Sequence, residues 1–196
     1  WQVVASVQTI SEAHMLPVID QMLAQFPFEI LGFHADNGSE YVNHRVAKLL
    51  DKLKVEFTRS RPRRSNDNGL AETKNGAVVR KEFGYSHIPQ RHATRFNTYC
   101  VEYLNPFLNF HRPCLFSTDK PDPKKPGRIK RIYRPQDAMT PLDKLASLPE
   151  KNQGLREGIT LEHLRALATA LTDVQAAEEL NEARQALFRR APSRTA

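Results

Sequence analysis

Apolar positions along the chain change period several times, and each change marks a predicted element. Trp1-Gln2-Val3-Val4-Ala5-Ser6-Val7 is rich in β-branched residues and predicts a strand. Ser11 is a helix N-cap candidate, and Met15, Ile19, Met22 and Leu23 then fall on one helical face up to about Gln25. Pro27 separates this helix from a strand predicted over 29–34. Val46, Leu49, Leu50 and Leu53 recur at three- and four-residue intervals, which predicts a helix over 43–53. A short strand over 55–58 leads into a polar loop over 59–68. Helical periodicity resumes over about 70–82 and again over about 91–105. A last amphipathic segment begins near Thr160, with Leu161, Leu164, Leu167 and Leu171 on one stripe. It continues to about Phe188, with a break at Thr172-Asp173.

Strands alternating with helices indicate an α/β layered domain, placed at 1–115. Seven of the 13 prolines lie between Pro113 and Pro149, so 116–150 reads as a linker, an extended arm or a small irregular subdomain. Residues 151–196 form a C-terminal helical segment. With 29 basic against 22 acidic residues, the formal charge of +7 favours a polyanionic partner. Two cysteines, Cys100 and Cys114, make no disulfide framework, so a reducing cytoplasm is expected. Their separation of 14 positions also argues against a zinc site with His87 and His92. No run approaches the roughly 20 apolar residues of a membrane span, and no signal-peptide pattern is visible.

Two carboxylates stand out by context. Asp36 follows an apolar run and opens the turn Asp36-Asn37-Gly38-Ser39-Glu40-Tyr41. Glu72 follows a basic stretch and opens a predicted helix, leaving 35 residues between the two acids. Asn75 lies one turn beyond Glu72 on the same helical face. Arg59, Arg61, Arg63 and Arg64 form a dense basic loop just before that helix. The proline-rich stretch carries Lys120, Lys124, Lys125, Arg128, Lys130, Arg131 and Arg134, a density suited to tracking a phosphate backbone.

In order and spacing, four segments resemble the integrase core, with its three-carboxylate (DDE) site, of insertion-sequence transposases and retroviral integrases. They are Phe33-His34-Ala35-Asp36-Asn37-Gly38-Ser39-Glu40-Tyr41, Thr58-Arg59-Ser60-Arg61-Pro62 followed by Asn66-Asp67-Asn68, Ala71-Glu72-Thr73-Lys74-Asn75, and Asn109-Phe110-His111-Arg112-Pro113. The resemblance implies a ribonuclease-H-like core lacking its first strands, followed by a Pro-rich basic arm and a C-terminal helix. It implies catalytic, metal-binding roles for Asp36 and Glu72, with two Mg2+ or Mn2+ ions in the intact enzyme. It also implies DNA contacts from Arg59, Arg61, Arg63, Arg64, Asn75, Lys124, Lys125 and Arg128. Transposon ends and target DNA would be the partners of a homo-oligomer in the cytoplasm, nucleoid-associated when bound to DNA.

The family's first acid lies on a strand before the segment matched by Trp1–Val7. The only aspartate before Asp36 is Asp20, which falls inside the first predicted helix. Since the sequence opens on Trp1, a fragment of a longer product, inactive alone, is expected. The rival readings are a non-catalytic DNA-binding or multimerisation remnant of a transposase, and a different nuclease of the same fold.

Overall fold

Helix α1, Glu12–Ala24, forms where the apolar spacing places it, with Ser11 in extended backbone at its N-cap. The Ser11 hydroxyl is turned to the His14 imidazole at 2.8 Å rather than to the helix backbone. The computed structural model describes residues 1–35, 51, 56–59, 75–121, 127–150 and 153–189. After α1 come strands β1, Gly32–Ala35, and β2, Glu56–Arg59. They pair in parallel, Gly32 opposite Glu56 through Ala35 opposite Arg59. A parallel pair requires a crossover connection rather than a tight turn. The chain is thus of mixed helix and strand, with parallel pairing at the carboxylate motif.

A wide π-helical turn, Asn75–Val79, runs directly into helix α2, Arg80–Phe83. Gly84 ends it with φ of 74°, a left-handed conformation that glycine adopts without a Cβ penalty. Helix α3 follows as one continuous rod: Gln90–His92, Ala93–Tyr99, Cys100–Leu104 and Phe107–His111. The predicted end near Asn105 is overrun by two turns. Pro106 lacks an N–H and would normally break the ladder, but π-helical turns on both sides accommodate it.

The proline-rich stretch is an antiparallel hairpin of β3, Cys114–Pro121, and β4, Ile129–Met139. A register irregularity between Leu115 and Ser117 lets β4 carry Pro135, and bulges are where a sheet tolerates proline. Helix α4, Pro141–Ala146, has Thr140 as N-cap, Pro141 in its first turn and a capping box closed by Asp143. Helix α5, Leu161–Thr169, is capped by Thr160. Helix α6, Asp173–Arg189, starts after a Thr172–Gln175 exchange of hydrogen bonds, so the break at Thr172-Asp173 is a new cap.

The main core joins α2, α3 and α6. Val78, Phe96, Leu104, Leu108 and Leu187 bury together, with Phe188 set edge-on to Phe96 at 5.8 Å. The C-terminal helix therefore packs on the same core as α3. A second cluster sets Met15 and Ile19 of α1 against Val7, Ile30 and Phe33. A third joins α4 and α5 around Trp1, whose ring meets Phe110 at 5.5 Å and Phe28 at 6.3 Å. An isolated bridge, Phe28 opposite Leu155, and Arg156 Nη2 donating to Ala24 O at 2.7 Å tie the last third of the chain to the end of α1.

Trp1–Val7 is the largest departure from expectation. Its alternate residues are hydrogen-bonded along their length, as in a strand, but the partners are side chains of α3.

Candidate functional site

Position along β1 and β2 is what the structure adds to the carboxylate motif. Ala35, the last residue of β1, sits opposite Arg59, the last residue of β2, and the strands run in the same direction. Asp36 follows Ala35 in the chain, and the basic loop follows Arg59. Both motif segments therefore leave from the carboxyl end of one parallel pair, the end at which open α/β sheets place their ligands.

Asp36, Glu72, Arg61, Arg63, Arg64, Lys124 and Lys125 lie outside the described residues. Arg59 and Asn75 are located by their backbones, at the end of β2 and the first position of the π-helical turn. Arg128 is exposed and directly precedes β4. No cluster of three or more potential metal-ligating side chains occurs among the described residues, to which Asp36 and Glu72 do not belong. No helix among them is long and apolar enough to cross a membrane.

Arg112, in the motif that closes the matched region, donates from Nη2 to Ala77 O at 3.2 Å. That carbonyl lies two residues beyond the end of the third matched segment, in the π-helical turn that begins at Asn75.

On the hairpin, Asp119 faces Arg131 while Lys120 faces Lys130. Arg131 Nε lies 3.9 Å from Asp119 Oδ1 with both side chains well exposed, a pair that contributes little stability in water. Lys120 opposite Lys130 is a like-charge cross-strand pair, which destabilises a hairpin. Tyr133 and Ile129 share a strand face with Arg131 and are strongly exposed, at 59% and 65%. An aromatic ring beside cations on an open sheet is a platform on which nucleic-acid bases stack.

Two other titratable groups prove structural. The Tyr99 hydroxyl donates to the Glu82 carboxylate. Burial, then the hydrogen bond to Glu82 and that residue's charge, hold the Tyr99 pKa far above its usual value. Burial first, with the same carboxylate, pushes the Cys100 thiol up to about 12. Cys100 is 1% exposed and packs with Phe96 and Leu104 in the main core.

Sequence reading missed the polar edge of α3. Asn97, Asn105 and Asn109, spaced at multiples of four, each engage both main-chain groups of one residue of Trp1–Val7. The signal was asparagine recurring beside an apolar helical stripe, a pattern that implies a polar partner.

No protein-family model matches the chain. It is 29% identical over 135 residues to an uncharacterized protein, y4rM, of Sinorhizobium fredii (strain NBRC 101917 / NGR234). That match covers 69% of this chain and 38% of the relative, so the chain spans less than two-fifths of that protein's length.

Proposed function

We propose that the chain is part of a DNA-cutting and -joining recombinase of the transposase/integrase kind, built on a ribonuclease-H-like core. The observation that carries this reading is the parallel pairing of β1 with β2, which sends the Asp36 and Arg59 segments from one sheet end. Asp36 and Glu72 are hard oxygen donors and fit Mg2+ or Mn2+. Two such cations, when bound, neutralise charge on a scissile phosphate and activate the attacking oxygen. A third carboxylate from a further strand would complete their cage.

A place for that strand is consistent with the packing. An apolar groove of about 440 Å³ is floored by Met15, Ile19 and Met22 of α1. Ala5, Val7, Gly32 and Phe33 also line it. Among the described residues β1 pairs with β2 alone.

Each basic segment has one task here. Arg59, Arg61, Arg63 and Arg64 hold DNA phosphates beside the carboxylates, and Asn75 orients Glu72 or contacts DNA. Lys124, Lys125 and Arg128 extend the phosphate track along the hairpin.

Manganese titration followed by amide resonances tests this directly. Paramagnetic broadening is expected at Phe33, His34 and Ala35 and over 75–77, and Asp36→Asn should abolish it. Broadening that spares these amides, or survives the substitution, removes the basis of the reading.

A further inference from the structure

We propose that Asn97, Asn105 and Asn109 turn α3 into a surrogate β-strand, a clamp that fixes an extended peptide segment by its main chain. Its occupant is Trp1–Val7. Gln2 N–H donates to Asn109 Oδ1 at 2.7 Å, and Asn109 Nδ2 donates to Gln2 O at 2.7 Å. Val4 and Asn105 make the same exchange at 2.8 and 3.1 Å. Ser6 and Asn97 make it at 2.6 and 2.9 Å. Each amide thus reproduces the paired N–H and C=O of a neighbouring strand residue.

Residues 2, 4 and 6 present their main-chain groups to one side, as alternation in an extended chain requires. One helical turn between Asn105 and Asn109 rises about 6 Å, close to the roughly 6.6 Å of a two-residue strand repeat. The two turns between Asn97 and Asn105 rise about 12 Å, so Asn97 meets Ser6 outside that repeat. The strand runs antiparallel to the helix, from Gln2 at Asn109 to Ser6 at Asn97.

The amides themselves are held. Asn105 and Asn109 are 4% and 2% exposed. Asn105 Nδ2 also donates to Gln25 Oε1 at 2.8 Å, and Asn109 Nδ2 to Asn105 O at 2.8 Å. Both amide protons of each are therefore used, which fixes which end of the side chain is oxygen. At Ser6 the hydroxyl adds a bond to Ala93 O at 3.0 Å.

Val3, Ala5 and Val7 direct their main-chain groups the other way, where they have no partner among the described residues. The clamp therefore fixes the register of an extended segment whose second edge has no partner among the described residues. In the function proposed above, on which this consequence rests, that register positions the incoming strand with the third carboxylate. The three asparagines are positioning residues, acting through Trp1–Val7.

Amide hydrogen exchange of the full chain, residue by residue, tests the clamp. Gln2, Val4 and Ser6 are expected to exchange at least about tenfold more slowly than Val3, Ala5 and Val7, the scale of one or two net hydrogen bonds. Gln2→Ala and Val4→Thr should preserve that alternation, while Val4→Pro, which removes the donated N–H, should erase it around residue 4. Asn105→Asp keeps the acceptor but sets a second acceptor against Val4 O, and should release Val4 and Gln2. Asn97→Asp, at a half-buried position, should release Ser6 while the rest of the chain stays folded. Equal exchange at all six amides in the folded wild-type chain, or alternation that survives both aspartate substitutions, would overturn the proposal. Alternation without manganese broadening at Ala35 supports the clamp and sinks the recombinase reading. Broadening without alternation does the reverse.

Discussion

His111 Nδ1 and Asp173 Oδ1 meet at 2.9 Å, tying the last turn of α3 to the first turn of α6. The pair is lopsided, because the His111 side chain is 6% exposed and that of Asp173 is 80% exposed. A carboxylate so well hydrated gains little from its partner. The imidazole is held mainly by burial and by Phe107, stacked at 6.3 Å. Asp173→Asn, which keeps an acceptor for the ring, should cost less than about 1 kcal/mol. His111→Ala should cost about 1–3 kcal/mol through lost packing. Urea unfolding of the two variants separates these cases, and equal losses would mean that the ion pair is the main tie.

A second histidine makes stability depend on pH. His92 is buried at the start of α3, and its Nε2 has no hydrogen-bond partner among the described residues. Burial first, then Arg91 and Arg95, hold its pKa below the usual value. The unfolded chain titrates near about 6.5, so it takes up more protons than the folded state as pH falls past that value. The contribution of neutral His92 is complete above about 6.5 and is lost below it. His92→Leu should flatten the decline in unfolding midpoint as pH falls below about 6.5. An unchanged decline would assign the acid sensitivity elsewhere.

Leu187 reports whether the C-terminal helix belongs to the main folding unit. It is 5% exposed and buries with Leu104 and Leu108 of α3. Arg95 Nη2 also donates to Leu187 O at 3.3 Å, placing a cation at the carbonyl end of α6. Leu187→Ala should destabilise the whole unit by about 2–5 kcal/mol, in the same range as Leu104→Ala. Both should shift a single transition seen by far-UV circular dichroism and by Trp1 fluorescence. A variant that melts α6 alone would show a separate helical appendage.

Where local pattern carried the signal, the sequence was legible. Helix α1 appears within a residue of its predicted ends because Ser11 and the Met15–Ile19–Met22–Leu23 face are local features. Strands β1 and β2 are displaced by one to three residues from prediction, the usual blur where short apolar runs carry no caps. The overrun of α3 was not legible, since a proline predicts termination unless the turn around it widens. The hairpin was hidden because its prolines sit at a strand end and beside a bulge, positions fixed only by pairing. Asparagines 97, 105 and 109 recur in the sequence beside the apolar stripe of α3, but their partners lie 91 to 107 residues away and could not be named from it. Of the site itself, the sequence yields the motif order, and the structure adds the shared strand end at Ala35 and Arg59.

Affinity for DNA supplies the last prediction. The basic segments are dense in charge, so in the proposed function binding should run mainly through phosphates. Each phosphate contact releases condensed counterions, and log affinity should fall linearly with log salt by about 0.9 per contact. Replacing Arg61, Arg63 and Arg64 with alanine should flatten that slope and weaken binding alike on unrelated sequences. Lys124, Lys125 and Arg128 should behave in the same way when replaced together. Tyr133→Ala offers a contrast, because its exposed ring beside Arg131 can stack on bases but neutralises no phosphate. It should weaken single-stranded DNA more than duplex, by about 1–3 kcal/mol, and leave the salt slope unchanged. Fluorescence anisotropy at several salt concentrations resolves these slopes, with circular dichroism confirming that each variant keeps its fold. Salt-independent binding, or losses confined to one DNA sequence, would remove the phosphate track from the account of this protein.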